Sequence, residues 1–144
     1  MRKLTMQELN RLSLTEYQEV EKLDVIIVLD NVRSLSNIGS FFRTADAFRI
    51  SEIFLCGITA CPPHREIHKT ALGAEESVKW RHFETTEDAC KYLIDNNYTI
   101  NAVEQIESSV MLNDFIPEKR SAYIFGNEVD GVDDVVLLGV AAQL

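Results

Sequence analysis

An unbroken apolar run, Val25-Ile26-Ile27-Val28-Leu29, stops at Asp30-Asn31, passes through a polar turn and gives way to a helical pattern at Ser36. A run of this kind, rich in β-branched residues, fits a strand buried on both faces of a parallel sheet. Past the turn, Ile38, Phe41, Phe42, Ala45 and Phe48 recur at three- and four-residue intervals and so share one stripe of a helix. Ser36 or Asn37 is expected to cap its start. At about 100° per residue Arg43 points away from that stripe, on the side shared by Gly39, Ser40 and Ala47. This predicts a cation over a floor of small residues. Asn37, Gly39 and Arg43 fall in the first two turns, near the carboxyl end of the strand, where open α/β sheets place ligand crevices. A surface arginine on an ordinary amphipathic helix is the competing reading of the same spacing.

The rest of the chain repeats this alternation. Strands are expected at 25–30, 52–57, 78–83, 99–104 and 121–125. Helices are expected at 36–48, after Thr85 or Thr86 with Ala89, Tyr92 and Leu93 facing inward, and from Val132 to Ala142. Strands alternating with helices indicate an α/β fold, a mostly parallel sheet with helices on both faces. Residues 5–23 carry Leu9, Leu12, Tyr17 and Val20 at loosely helical spacing and are read as one or two short helices, so that 1–24 forms an N-terminal helical extension and 25–144 the main domain. The stretch from Ile58 to Ser77, broken by Pro62-Pro63, has little periodicity, and loops of that length are usually functional or disordered.

A second constellation follows the last clear strand: Gly126-Asn127-Glu128-Val129-Asp130-Gly131. Glycines here let the backbone approach a ligand or take positive φ. A strand-to-helix turn capped by Asp or Asn explains the same residues when they are taken alone.

Two stretches together identify a family. Asn37-x-Gly39-x-x-x-Arg43-Thr44-Ala45-Asp46-Ala47-Phe48 resembles the first motif of the SpoU/TrmH group of RNA ribose 2′-O-methyltransferases, in the SPOUT superfamily. Gly126-Asn127-Glu128-x-x-Gly131 resembles the second, with Val129 where many members have another glycine. Lys69-Thr70-Ala71-Leu72-Gly73-Ala74-Glu75 is similar to a part-helical segment that these proteins carry near the active crevice. The resemblance implies an α/β-knot fold, S-adenosylmethionine as cofactor, and methyl transfer to an RNA ribose, most plausibly of tRNA, by a homodimer. It implies catalytic roles for Asn37 and Arg43, with Asn37 orienting the arginine, cofactor binding by Gly126, Asn127, Glu128 and Gly131, and RNA contacts from Arg33, Arg65 and Lys69. The third motif of the family, a proline-containing turn followed by Ser-Leu-Asn and a long helix, would fall just beyond Leu144. The knot segment is therefore expected to be incomplete and the domain truncated at its C-terminus. A non-catalytic RNA-binding or scaffold protein that keeps the fold is the alternative function.

Charge bears on that choice. The 144 residues carry a net charge of −9 with pI ≈ 4.8, whereas nucleic-acid binders usually present a basic patch. Arg33, Arg43, Arg49, His64, Arg65, His68 and Lys69 nevertheless concentrate in the first half, and a local basic strip is expected there. Short flanking extensions argue against a large auxiliary RNA-binding domain. No apolar run approaches the roughly 20 residues of a membrane span, and the mixed N-terminus lacks a signal peptide's apolar core. Cytoplasmic residence is the expectation. Cys56, Cys61 and Cys90 have no metal-ligand spacing, and Cys61 is read as a bystander. His64 and His68 are four apart, but no third ligand is evident nearby, so no metal is expected. The absence of Gly-x-Gly-x-x-Gly after a strand and of a Gly-Lys-[Ser/Thr] loop disfavours dinucleotide and P-loop enzymes.

Overall fold

The structure is a computed structural model and describes residues 1–140 and 142–144. In chain order it contains α1 (Leu14–Glu19), β1 (Leu23–Asp30), α2 (Leu35–Phe48), β2 (Ile50–Cys56), α3 (Arg65–Ala71), α4 (Ala74–Ser77), β3 (Trp80–Phe83), α5 (Thr86–Asp95), β4 (Thr99–Val103), β5 (Ser121–Phe125), α6 (Asp134–Leu137) and β6 (Ala142–Gln143). The strands form one sheet in the order β3-β2-β1-β5-β4-β6, and each neighbouring pair is parallel. The chain winds outward from β1 through β2 to β3, then crosses to the other side. That reversal lies between β1 and β5, and it is at such a switch point that open sheets form a crevice.

Both faces are covered. Ile26, Val28, Phe54, Ala102 and Ile124 pack under Ala89 and Leu93 of α5 and Val136 of α6. On the other face Leu29, Ile53 and Leu55 meet Ile38, Phe42 and Ala45 of α2 and Ile67 and Ala71 of α3. Each large side chain so buried contributes about 1.5–3 kcal/mol. The doubly covered β1 is what its unbroken apolar run requires.

Several expectations are corrected. Ser34, rather than Ser36 or Asn37, caps α2, accepting from the Asn37 main-chain N–H. The Asn37 side chain is thereby left for another partner. Phe48, the last residue of α2 and about 80° from Ile38 at roughly 100° per residue, lies at the edge of the inner stripe and is 65% exposed. Gly39 is not a floor beneath Arg43. It is buried at the crossing with α3, where a Cβ would lie 2.0 Å from Thr70 Oγ1 and 2.3 Å from the Ile67 carbonyl oxygen. Thr70 also donates to the Ser36 carbonyl at 2.8 Å, locking the two helices together.

The final helix expected from Val132 to Ala142 is reduced to Asp134–Leu137, and Ala141 lies outside the described residues. Residues 142–144 instead satisfy the open edge of β4: Leu144 N–H donates to the Ala102 carbonyl and Glu104 N–H to the Leu144 carbonyl, both at 2.8 Å. At the other end only Leu14–Glu19 is α-helical, held by a capping box between Ser13 and Glu16. Tyr17 is buried, whereas Leu9 and Leu12 are exposed. Among the described residues no helix is long and apolar enough to cross a membrane.

The Gly39 contact sets two effects against each other. Alanine is favoured over glycine inside a helix by about 1 kcal/mol, but overpacking a tight contact costs about 1–3 kcal/mol, and here much of the obstruction is backbone. Gly39→Ala is expected to lower stability by about 1–2 kcal/mol, read as a reduced midpoint in urea unfolding. An unchanged or raised midpoint would show that α3 yields freely.

Candidate active site

Leu29 of β1 stands opposite Phe125 of β5, so the segments that follow, beginning at Asp30 and Gly126, leave the sheet side by side. Two stretches far apart in sequence meet because one register places them there.

Asp30 anchors the meeting point. Its carboxylate, 2% exposed, accepts from Thr86 Oγ1 at the start of α5 (2.5 Å), from Asn31 Nδ2 (3.0 Å) and from the Asp133 main-chain N–H ahead of α6 (3.0 Å). A buried carboxylate persists only with such partners. Beside it Thr59, also buried, donates to the Leu29 carbonyl and accepts from the Val32 N–H, fixing the start of the polar turn.

The 126–131 loop closes on itself. Asn127 and Gly131 exchange two main-chain hydrogen bonds of 3.0 Å, and Asn127 Oδ1 accepts from the Val129 and Asp130 amides at 2.7 and 2.9 Å. Gly126 makes the closure fit, since a Cβ there would stand 2.0 Å from the Gly131 carbonyl carbon. Gly131 has φ +73, and its own Cβ would strike Glu104. Two carboxylates then hold the loop from opposite sides. Glu104, just past β4, accepts from the Val132 N–H at 2.9 Å. Glu128 reaches the first motif, accepting from the main-chain N–H groups of Arg33 (3.2 Å) and Ser34 (3.1 Å) and from Asn37 Nδ2 (3.2 Å). An anion at this point also suits the positive end of the α2 dipole. Burial acts to raise the Glu128 pKa, but hydrogen bonds from its own amide, from Ser34 and Arg33 and from Asn37 outweigh it and hold the carboxyl below its ordinary value.

Between the two stretches lies a cleft of about 390 Å³. Phe41 and Phe125, with ring centroids 4.9 Å apart, form an apolar wall together with Val32 and Val103. Asn37, Glu104 and the 126–131 loop form the polar side.

Asn37, Gly126, Asn127, Glu128 and Gly131 are thus brought together. The two proposed catalytic side chains are not joined: Asn37 is bonded to Glu128, and among the described residues the exposed Arg43 side chain has no hydrogen bond or ion pair. Arg33 enters through its main chain, with its side chain exposed, and Arg65 is exposed on α3. Lys69 is paired with Glu66 at 2.8 Å, and His68 with Glu75. The cations expected to form a basic strip are therefore partly neutralised. Among the described residues no group of three or more His, Cys, Asp or Glu is arranged to hold a metal ion. Burial pushes the Cys56 thiol up to about 12 and Cys90 to about 11, and raises Cys61, so none is an activated nucleophile. Sequence reading missed Asp30, Thr59, Thr86 and Glu104. Asp30 and Glu104 had a signal, a carboxylate ending a strand pattern, whereas Thr59 and Thr86 become meaningful only through partners distant in sequence.

Residues 24–142 match the model of the SpoU rRNA methylase family. Among solved structures, the chain is similar to an AdoMet-bound rRNA methyltransferase from Sinorhizobium meliloti, with 24% identity and a TM-score of 0.78, over 88% of this chain and 49% of that one. A TrmH/SpoU tRNA modifying enzyme from A. aeolicus is 19% identical with a TM-score of 0.78, over 91% and 68% of the two chains. An RNA 2′-O ribose methyltransferase is 16% identical with a TM-score of 0.75, over 87% and 48%. These likenesses establish the shared fold, and the chain spans about half the length of the first and third structures. No curated protein matches.

The Glu128 bridge has a definite pH signature. Its folded pKa is depressed, so its stabilisation is fully present above the unfolded carboxylate pKa of about 4.3 and is lost as pH falls through the lower folded value. Hydrogen-exchange protection of the Arg33 and Ser34 amides, corrected for intrinsic rates, should survive at pH 5 and disappear only below the ordinary carboxylate range. In Glu128→Ala it should fall about tenfold at neutral pH, the equivalent of roughly 1.4 kcal/mol. Unaltered protection in the variant would remove the bridge from the account.

Proposed function

Because the chain belongs to the SpoU rRNA methylase family, we propose that it takes part in S-adenosylmethionine-dependent methylation of RNA at a ribose 2′-hydroxyl, with tRNA as the favoured substrate. The observation that carries this reading is the Glu128 bridge, which ties the 126–131 loop to Asn37 and the start of α2 beside one cleft. The cofactor-bound Sinorhizobium structure, the RNA 2′-O ribose methyltransferase and the tRNA modifying enzyme support cofactor, position and substrate in turn.

The cleft fits the cofactor chemically. Phe41, Phe125 and Val103 offer apolar surface to an adenine, the 126–131 backbone offers polar groups to its edge and ribose, and Glu104 and Glu128 make the surroundings acidic, which suits the cationic sulfonium and amino groups. When bound, S-adenosylmethionine supplies the electrophilic methyl group. Gly126, Asn127 and Gly131 shape the loop, and Glu128 fixes its distance from α2. Asn37 Oδ1 has no partner among the described residues, so the amide that Glu128 orients can accept from a substrate hydroxyl or from the Arg43 guanidinium. Arg43 presents a planar guanidinium whose fork of N–H donors matches phosphate oxygens. It anchors a substrate phosphate and stabilises charge developing on the ribose oxygen. With the cofactor bound, the methyl group would pass to the ribose oxygen as its bond to the donor sulfur broke, leaving the thioether, and the 2′-proton would go to solvent or to a substrate phosphate. Arg33 and Arg65, whose side chains are exposed, provide further RNA contacts. A homodimer fits this reading, and Met111, Leu112 and Ile116, 68, 76 and 87% exposed, offer apolar surface for one.

Calorimetric titration with S-adenosylmethionine and transfer of labelled methyl to tRNA transcripts test the proposal. A 2′-O-methyl blocks attack by that oxygen on the neighbouring phosphate, so the label should appear in alkali-resistant dinucleotides. Gly126→Ala should weaken cofactor affinity at least tenfold, and Arg43→Ala should cut transfer at least a hundredfold while leaving cofactor affinity unchanged. Wild-type turnover by Arg43→Ala, or label on a base, would overturn the assignment. Cofactor-free RNA binding would favour a scaffold.

A further inference from the structure

A cavity of about 560 Å³, separate from the motif cleft, is lined by Pro62–His64, by residues of α3 and α4, and by Trp80 of the edge strand β3. We propose that it is a second nucleotide subsite, which holds one unpaired base of the substrate RNA and the phosphate attached to it. This rests on the RNA-directed function proposed above and adds to it a place where sequence is read.

Its walls carry the chemistry of a nucleotide. Pro62, Pro63 and the half-buried Trp80 give flat apolar surfaces, and stacking on an aromatic ring is the usual way a protein holds a splayed-out base. Arg65 lines the same cavity, is exposed, and has no hydrogen bond or ion pair from its side chain among the described residues. A guanidinium free on both edges suits a phosphate. His64 accepts the Glu66 N–H through Nδ1 at 3.1 Å, which leaves Nε2 as a donor toward the same anion. His68 and Glu75 are satisfied by one another, so of the two carboxylates on the wall only Glu76 remains open. The uncompensated charges are one cation and one carboxylate, a match for a ligand with a phosphate at one end and hydrogen-bond donors at the other. Guanine presents two adjacent donors, N1–H and the N2 amino group, to a single carboxylate, whereas uracil flanks its one donor with acceptors. The volume falls within the roughly 300–1,000 Å³ of small-ligand pockets.

The location supports a link to the reaction. Ile67, Thr70 and Ala71 of α3 are in contact with α2 at Gly39, so a base seated here rests on the helix that is docked against the one carrying Asn37 and Arg43.

Trp80 is the one tryptophan of the chain, so its fluorescence reports on this cavity alone. Titration with GMP, AMP, CMP and UMP should quench it saturably, with GMP binding at least threefold more tightly than UMP. Arg65→Ala should weaken GMP at least fivefold and leave guanosine little changed, and Glu76→Gln should erase the preference for GMP over UMP. Saturating S-adenosylmethionine, directed to the other cleft, should leave the quenching in place. No quenching by any nucleotide, competition by S-adenosylmethionine, or indifference to Arg65→Ala would overturn the inference. The two readings separate cleanly. Cofactor binding without nucleotide quenching defeats the subsite alone, and quenching without cofactor binding defeats the methyl-transfer reading and leaves a nucleotide site.

Discussion

The parallel pairing of β1 with β5 is the constraint on which the rest depends. It sets Leu29 against Phe125 and thereby delivers two polar segments to the same end of the sheet, at the point where strand order reverses. Everything polar at that end must then be satisfied locally. Asp30 does this for the buried side by joining the end of β1 to the starts of α5 and α6, through Thr86 and the Asp133 amide. Glu128 does it for the exposed side by joining the β5 loop to the cap of α2. One carboxylate fastens the frame and the other fastens the site, and Glu104 holds the loop from behind.

Much of this is legible in the amino-acid sequence. The doubly apolar β1, the alternating order of elements, and the inner residues Ile38, Phe42 and Ala45 follow from spacing alone, and all three side chains are buried. The two motifs fall beyond the carboxyl ends of β1 and β5, beside one cleft. What spacing cannot supply is the third dimension of α2. An angular projection puts Gly39 near Arg43 and suggests an open floor, but the projection does not know that α3 lies across it. The irregular stretch that contains α3 gives no periodicity because Ile67 and Ala71 are the only buried members of that helix, which is one or two turns long. The same blindness makes the C-terminal segment look like a continuous helix. Val135, Val136, Leu137 and Leu138 are apolar on every side, and the preference of residues 142–144 for the open edge of β4 is a property of that edge rather than of their own pattern.

The two residues expected to act as a pair stand differently. Asn37 is held by Glu128, while Arg43 projects freely from the third turn of the same helix. This division has a physical logic. A group that shapes a small-molecule cleft gains from rigidity, because displacement of a few tenths of an ångström weakens several contacts at once. A group that must close on a long, mobile anion loses little by being unpaired beforehand, since a surface guanidinium in water has a weak competing partner, and an exposed ion pair would return under about 1 kcal/mol.

Net charge fits the same division. A chain at −9 cannot draw a polyanion in by overall attraction, so the RNA recognition proposed above would rest on the few cations left uncompensated and on stacking, which is insensitive to net charge. Of the expected basic strip, Lys69 and His68 are removed by Glu66 and Glu75, and the exposed Arg33, Arg43, Arg49 and Arg65 remain. Two acidic residues meanwhile meet at the 126–131 loop, where Glu104 and Glu128 line a cleft proposed to receive a cationic methyl donor. A polyanion is repelled from that surface at the same time. The distribution would therefore keep the two proposed ligands, of opposite charge, apart on a single small domain, and it would do so with groups that also hold the loop closed.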